Sequence, residues 1–218
     1  MQRLSGLILA LVFSSVGLAG PQVTDSIGRE VTLAKPAETI IGLAPHIVEN
    51  LFSAGAGDKL IGVVNYSDHP VQARSIPQVG SAYAWSLETV VAMDPDLVVL
   101  WGSGNGTAAR SQLERLGIKV YVSEPRELED IADSIRDFGV LAGTEAEAEL
   151  NATAFENTIE ELSVLHQNQL PLTVFYQIWN KPLQTINGQH MISHVIDLCG
   201  GSNVFAAETQ LAPRISLE

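Results

Sequence analysis

The chain has 218 residues, of which 46% are hydrophobic and 17% are charged, so it can bury a core and is not intrinsically disordered. Its 25 acidic and 12 basic residues give a formal charge of −13, which excludes nucleic acid and anionic lipid as partners because no basic surface is available. Only 6% of the residues are aromatic, so their positions carry most of the information.

Residues 1–19 have the composition of a secretory signal peptide. Arg3 precedes an apolar run over 7–18, and the run gives way to small residues up to Ala19, where cleavage is expected. The run is shorter than the roughly 20 residues that a membrane-spanning helix needs. We therefore expect the protein to be exported and its mature form to be soluble.

The chain after this segment alternates short β-branched runs with helical stretches, the pattern of a parallel sheet with crossover helices. The pattern predicts strands at 23–25, 30–33, 39–43, 60–64, 96–101 and 119–122. It predicts helices at 46–54, 107–116 and 127–141, and a short helix capped by Ser86. These elements form one N-terminal α/β lobe, which we place at residues 20–143.

A long helix is predicted next, because residues 144–166 contain neither glycine nor proline. Apolar residues recur there at helical spacing, at Leu150, Ala154, Ile159, Leu162 and Leu165. Such a helix would be about 35 Å long at roughly 1.5 Å per residue, so residues 144–169 are interpreted as a connector between two lobes. Strands at 172–178 and 183–186 and a helix at 190–198 then predict a C-terminal α/β lobe at residues 170–218.

The C-terminal lobe is expected to be truncated. A weak internal repeat supports this interpretation, since WSLE at 85–88 returns as ISLE at 215–218. If the two lobes are related copies, the second has far fewer residues than the first. The single cysteine, Cys199, is then an unpaired thiol in an oxidising compartment. It is either buried and inert, or its partner lies beyond this sequence.

Signals for catalysis are weak. His190 and His194 have the i, i+4 spacing of a helical zinc motif but lack its glutamate, which favours a solvated helix face. The segment WGSGNG at 101–106 lacks the lysine of a phosphate loop and the spacing of a dinucleotide fingerprint, so it is interpreted as a strand-to-helix loop beside a ligand cleft. An exported hydrolase or metal enzyme would need a cluster of reactive side chains, and none is visible.

The aromatic residues fall where predicted strands end. Tyr66 follows one strand, Tyr83 and Trp85 lie in the next loop, Trp101 closes a strand, and Trp179 follows the strand expected to end at residue 178. Open parallel sheets bind ligands beyond the carboxyl ends of their strands. Aromatic faces provide large apolar contact at little entropic cost. The set predicts a cleft for a bulky, flat ligand with polar edges, although any single member could be ordinary packing.

Several short motifs carry a resemblance to a known family. They are YSDHP at 66–70, SLE at 86–88 followed by MDPDLV at 93–98, Trp101 with Gly104 and Asn105, LGIKV at 116–120, and CGGSNVF at 199–205. From about residue 40 to residue 218 the sequence resembles the periplasmic binding proteins for cobalamin and iron-siderophores that serve ABC importers, and their cobalamin-binding members in particular. The resemblance implies two Rossmann-like lobes joined by one long helix, the class III arrangement, with the ligand between the lobes.

The resemblance also implies a ligand and the residues that contact it. The expected protein is a periplasmic monomer without enzymatic activity, cofactor or metal that captures cobalamin or a related corrinoid. A ferric siderophore or haem is the alternative ligand. Tyr66 and Trp101 match cobalamin-contacting aromatics of the family. Tyr83, Trp85 and Trp179 lie close enough to replace family aromatics that this chain lacks.

Two further expectations rest on the resemblance. Glu88 and Glu218 match the glutamates, one on each lobe, that dock into basic pockets of the importer's transmembrane subunits. An exposed carboxylate beside a helix N-terminus stays ionised and can pair with arginine, which agrees with that role. The cysteine that matches Cys199 pairs in the cobalamin-binding relative with one in a C-terminal helix that this chain lacks.

Overall fold

The structure, a computed structural model, describes residues 20–166, 170 and 172–216. Its strands up to residue 123 are β1 (Gln22–Thr24), β2 (Glu30–Thr32), β3 (Ile40–Gly42), β4 (Leu60–Val63), β5 (Gly80–Ser81), β6 (Ala84–Trp85), β7 (Leu97–Trp101) and β8 (Val120–Ser123). The helices over the same region and the connector are α1 (Pro45–Ser53), α2 (Leu87–Ala92), α3 (Gly102–Arg115), α4 (Glu129–Ala142) and α5 (Glu145–His166). The remaining elements are β9 (Leu172–Val174), β10 (Trp179–Asn180), β11 (Leu183–Gln184), α6 (Met191–Leu198) and β12 (Gly201–Asn203).

A four-stranded parallel sheet with the order β4-β3-β7-β8 forms the centre of the first lobe. Side chains along a strand alternate between the two faces of a sheet. On β7, Leu97 and Val99 accordingly join the cluster formed with α1 and α4, while Val98 and Leu100 join the cluster that includes residues of α2 and α3. Both faces are covered, which explains the continuous apolar run of this strand. The predicted parallel α/β fold is confirmed.

Helix α5 has 22 residues and is therefore about 33 Å long. Its first half packs against α4 and α1 and its end contacts α6, so it joins the two lobes as predicted. The apolar residues whose spacing predicted the helix do not form its contact with α4, because Leu150 is 70% exposed whereas Ala148 and Ala152 are buried. Small residues let the helix approach α4 closely, and a Cβ added to Gly139 would lie 2.3 Å from the Cβ of Ala148.

Arg136 of α4 fixes the connecting helix to the first lobe. Its Nε donates to Glu149 at 2.9 Å and its Nη1 donates to Glu156 at 2.6 Å. Hydrogen bonds from the guanidinium lower the pKa of both glutamates below their usual range. The two glutamates are seven residues apart, so one arginine holds two turns of α5.

The second lobe contains a parallel pair, β9 and β12, together with α6 and the antiparallel hairpin β10–β11. Strand β9 ends at Val174, so the strand predicted at 172–178 is shorter than expected. After α5 and within the described ranges, the buried apolar side chains are those of Ile186 and Pro213. The predicted signal peptide at 1–19 lies outside the described residues, and the proposed domain limits remain predictions. Over residues 20–166, 170 and 172–216, no helix is both long and apolar enough to cross a membrane.

Candidate ligand-binding site

The carboxyl ends of the four parallel strands lie on one edge of the first-lobe sheet. These ends are Gly42, Val63, Trp101 and Ser123. Loops that follow them bring together the side chains described below. We refer to this part of the molecule as the C-terminal edge.

Trp101 is the centre of this edge. Its half-buried indole meets the ring of His46 edge-on, with centroids 5.6 Å apart and an interplanar angle of 87°. Tyr83 lies at 6.2 Å from the same indole with a tilt of 56°. A Cβ added to Gly104 would lie 1.9 Å from Cε3 of Trp101, so only glycine allows the chain to pass this close to the ring.

Asn105 joins three loops of the C-terminal edge. Its Oδ1 accepts a hydrogen bond from the backbone N–H of Trp101 at 2.6 Å. Its Nδ2 donates to the carbonyl of Leu43 at 3.2 Å and to the carbonyl of Ala82. A single amide thus holds the loops after β3, β5 and β7 in fixed relation.

The glycine-rich segment 101–106 differs from its prediction. Helix α3 begins at Gly102, five residues earlier than expected, and Gly106 interrupts it with φ 79° and ψ 163°. This break separates the first turn, which carries Gly104 and Asn105, from the rest of the helix. The loop interpretation is wrong in detail, but the segment does lie at the C-terminal edge.

His46, in the first turn of α1, was not among the predicted site residues. It is half-buried, and burial lowers the pKa of its imidazole, while the charge of Glu124 acts in the opposite direction. Its Nε2 atom is buried and has no hydrogen-bond partner among the described residues. Neither property can be inferred from the spacing of histidines in the sequence.

Tyr66 follows β4 in a left-handed backbone conformation with φ 68°. Such a conformation is rare for a bulky residue and is concentrated at functional sites. The side chain is 81% exposed, and that of Tyr83 is 78% exposed. Strands in a sheet lie about 4.8 Å apart, so β4, which Tyr66 follows, and β7, which Trp101 ends, are roughly 10 Å apart with β3 between them.

The remaining two tryptophans lie in short strands rather than in loops, which corrects their predicted placement. Trp85 is half-buried in β6, pairs with Gly80 and packs against the cluster that contains Val98. Part of its ring therefore covers the core. Trp179 lies in β10 of the second lobe, is 59% exposed and donates its Nε1–H to the carbonyl of Lys181 at 3.1 Å. A ligand contact by either residue remains a prediction.

Comparison with known proteins identifies the family. Residues 40–218 match the family described as periplasmic binding protein. The chain belongs to this family. It is 36% identical over 188 residues to the vitamin B12-binding protein of Vibrio cholerae, an alignment that covers 85% of this chain and 68% of the relative. The vitamin B12-binding protein of Vibrio vulnificus is 35% identical over 185 residues, with the same coverage.

Solved structures of periplasmic binding proteins share the fold. The crystal structure of the periplasmic vitamin B12-binding protein BtuF of Vibrio cholerae has a TM-score of 0.77 at 35% identity and covers 84% of this chain and 71% of that chain. The haem-binding protein RhuT from Roseiflexus has a TM-score of 0.73 at 22% identity, covers 83% of this chain and 71% of that chain, and shows the fold alone. The predicted class III fold, with two α/β lobes and one connecting helix, is confirmed.

Three other residues of this periplasmic binding protein were predicted for importer docking or for a disulfide. Glu88 is exposed in the first turn of α2, which Ser86 caps by accepting the backbone N–H of Thr89 at 3.1 Å. Glu218 lies outside the described residues. Cys199 ends α6 as an exposed free thiol, so the expectation of a buried, inert cysteine is wrong.

The pair His190 and His194 also differs from its prediction as a solvated face. His190 precedes α6, and its Nδ1 accepts the backbone N–H of Ile192 at 3.1 Å. Burial and the neighbouring His194 lower the pKa of His190. Both histidines are partly buried. In this periplasmic binding protein His190 thus caps α6, and His194 lies inside the helix.

Proposed function

We propose that this chain captures cobalamin or a related corrinoid in the periplasm and delivers it unchanged to an ABC importer. The observation that carries the proposal is the aromatic C-terminal edge, with Trp101 packed against Tyr83 and Tyr66 exposed beside it. The vitamin B12-binding protein of Vibrio cholerae is 36% identical to this chain and supports the same ligand.

The chemistry of the edge suits a corrin. A corrin is a large ring with apolar faces and a rim of amides, so aromatic faces can bury it while polar groups remain at the margin. Asn105 fixes the loops that carry Trp101 and Ala82 before any ligand arrives. Such preorganisation lowers the entropic cost of binding. In this proposal Trp179 contacts the ligand from the second lobe.

A ferric siderophore or haem is the competing ligand of the same family. Both carry carboxylates or other anionic groups that basic side chains would have to meet. Arg74, on the loop after β4, lies 3.8 Å from the carboxylate of Asp68, and the chain has a formal charge of −13. These charges favour cobalamin, which needs no cationic partner.

Binding of cyanocobalamin tests the proposal directly. Protein incubated with cyanocobalamin and then desalted should keep the visible absorbance of the corrin, and the released ligand should be chemically unchanged. Haemin and a ferric siderophore, offered in the same way, should bind more weakly. Colourless protein together with silent calorimetry would reject cobalamin, and stronger retention of haemin would favour the alternative.

Substitution of the central indole tests the site itself. Trp101→Ala should weaken cyanocobalamin binding about 30-fold, corresponding to ~2 kcal/mol for a central aromatic contact. Leu116→Ala is the matched control, because Leu116 is 54% exposed but precedes β8 and so lies at the opposite edge of the sheet. Equal affinities for the two variants would place the ligand elsewhere.

The importer contact is proposed for Glu88 together with Glu218. Glu88→Arg should lower cobalamin uptake by cells because like charges would meet at the basic pocket of the importer. Asp58→Asn is the control, since Asp58 is exposed in a turn before β4, at the opposite end of the strands. Uptake unchanged by Glu88→Arg would exclude this docking role.

The predicted location and oligomeric state need separate measurements. Osmotic-shock fractionation should release the mature protein from the periplasm, with its N-terminus near residue 20. Size-exclusion chromatography with light scattering should give one chain per particle. Retention of the protein in the cytoplasm would contradict the proposed signal peptide at 1–19.

A further inference from the structure

His46 is one of the two rings that contact the indole of Trp101 among the described residues, and it is half-buried. It follows Pro45 in the first turn of α1 and meets the indole edge-on at 5.6 Å. Perpendicular aromatic pairs are favourable because a ring edge meets a π face. The Nε2 atom of His46 is enclosed without a hydrogen-bond partner among the described residues.

One side of the indole packs against the buried apolar cluster of the first lobe, and its other two named neighbours restrain the ring little. Tyr83 is 78% exposed at the turn between β5 and β6, so solvent surrounds most of its ring. Gly104 offers only backbone. Of the two rings that contact the indole, His46 is the less exposed one.

The charge state of His46 matters for this contact. Burial lowers the pKa of its imidazole below the usual value, so the ring is neutral at about pH 7.5. Two titratable groups face the His46–Trp101 pair from other elements. Glu124, after β8, favours the charged imidazole through its carboxylate, which accepts hydrogen bonds from Ser103, and Tyr83 lies against the indole.

We propose that His46 is a positioning residue, whose neutral imidazole holds the indole of Trp101 in one orientation and affects ligand binding only through that indole. Protonation on acidification puts a charge on a ring whose Nε2 has no partner, so the packed arrangement loosens. The effect on binding rests on the proposed function, whereas the effect on the orientation of the indole does not.

Fluorine NMR of the protein labelled with 5-fluorotryptophan tests the orientation without any ligand. The Trp101 resonance should shift with a midpoint below about pH 6.5, and His46→Phe should abolish that shift while keeping the line narrow. Glu124→Gln should move the midpoint to lower pH. His69→Phe, at an exposed histidine after β4, should leave the titration in place. A Trp101 resonance that does not titrate, or that titrates in His46→Phe, overturns the proposal.

A double-mutant cycle tests whether His46 affects cyanocobalamin binding through Trp101 or by direct contact. His46→Ala should weaken binding about 10-fold at pH 7.5, and His46→Phe should restore most of the affinity. In a Trp101→Ala background, His46→Ala should cause no further loss. A full 10-fold loss in that background would show direct ligand contact and overturn the proposal. If the unmodified protein binds no cyanocobalamin, the proposed function fails, and the NMR titration still decides the role of His46.

Discussion

The two lobes are stabilised by different interactions. In the first lobe, apolar side chains from both faces of the sheet fill two clusters, and Phe138, Leu97 and Leu113 are completely buried. In the described part of the second lobe, Ile186 is buried among polar residues, while Leu172 and Leu170 are 74% and 91% exposed. Within the described residues, apolar burial thus dominates the first lobe, whereas residues 172–216 contribute mainly hydrogen bonds.

Asn203 is the centre of the second-lobe network. Its Nδ2 donates to the carbonyl of Ile186 and to the hydroxyl of Ser193, both at 2.9 Å. Its Oδ1 accepts the backbone N–H of Phe205 at 3.0 Å. A buried amide with all these bonds formed specifies one arrangement, because any other leaves a polar group unsatisfied.

The largest expected effect lies in the first lobe. Phe138 is completely buried and packs edge-on against Tyr121 with centroids 5.2 Å apart. Phe138→Ala should lower the free energy of unfolding by about 4 kcal/mol, because it removes apolar contact and leaves a cavity. Urea denaturation followed by circular dichroism measures this change. A loss below ~1 kcal/mol would show that apolar burial does not dominate the stability of the first lobe.

A smaller, local effect is expected in the second lobe. Asn203→Ala should cost about 2 kcal/mol, since Ser193 and the carbonyl of Ile186 lose a buried partner. Hydrogen exchange should become faster in β9, β12 and α6 and remain unchanged in β7. Asn180→Ala, at an exposed position of β10, is the matched control and should alter exchange little. Equal acceleration across both lobes would mean that they unfold as one unit.

A third variant is expected to raise stability. Burial raises the pKa of Asp137 to about 6, although the hydroxyl of Tyr121 donates to its carboxylate at 2.7 Å. The folded state therefore keeps a proton that the unfolded state loses, so stability falls as the pH rises from about 4 to about 6. Asp137→Asn should remove this fall and add about 1 kcal/mol at pH 7.5, a value reduced for solvent screening of a partly exposed group. A stability profile over pH that keeps its slope in the variant would contradict this account.

The smallest effect on the free energy of unfolding is expected for an exposed leucine between α5 and β9. Leu170 is 91% exposed, so Leu170→Ser should change the free energy of unfolding by less than about 0.5 kcal/mol. Differential scanning calorimetry at low protein concentration can measure it against the unmodified chain. A loss comparable with that of Phe138→Ala would show that Leu170 is buried in solution.

Local patterns predicted most of the fold. The parallel sheet, the Ser86 cap and the length of α5 follow from apolar periodicity and from the positions of glycine, as in the segment 144–166. The buried face of α5 did not follow, because the contact uses Ala148 against Gly139 and alanine carries little signal in a hydrophobic pattern. Small side chains at a close helix contact can be recognised only when the partner helix is known.

The candidate site was predicted less completely. Trp101 and Tyr66 follow from the rule that ligands bind beyond strand ends, and the structure places both at that edge. His46 and the three bonds of Asn105 were missed as site features, because each depends on loops that are far apart in sequence. Trp85 was predicted outside regular structure because a two-residue strand leaves no periodicity to detect.

The bond between Asn105 and Ala82 has a practical consequence for engineering ligand preference. It anchors a short hairpin whose tip, Tyr83, projects into solvent. At the proposed site, changing the side chain at this tip would alter the surface offered to the ligand and leave the hydrogen bonds of Asn105 in place. Randomising position 105 instead releases three loops together. Libraries that seek new ligand preferences should therefore vary residues 82 and 83 and keep the asparagine.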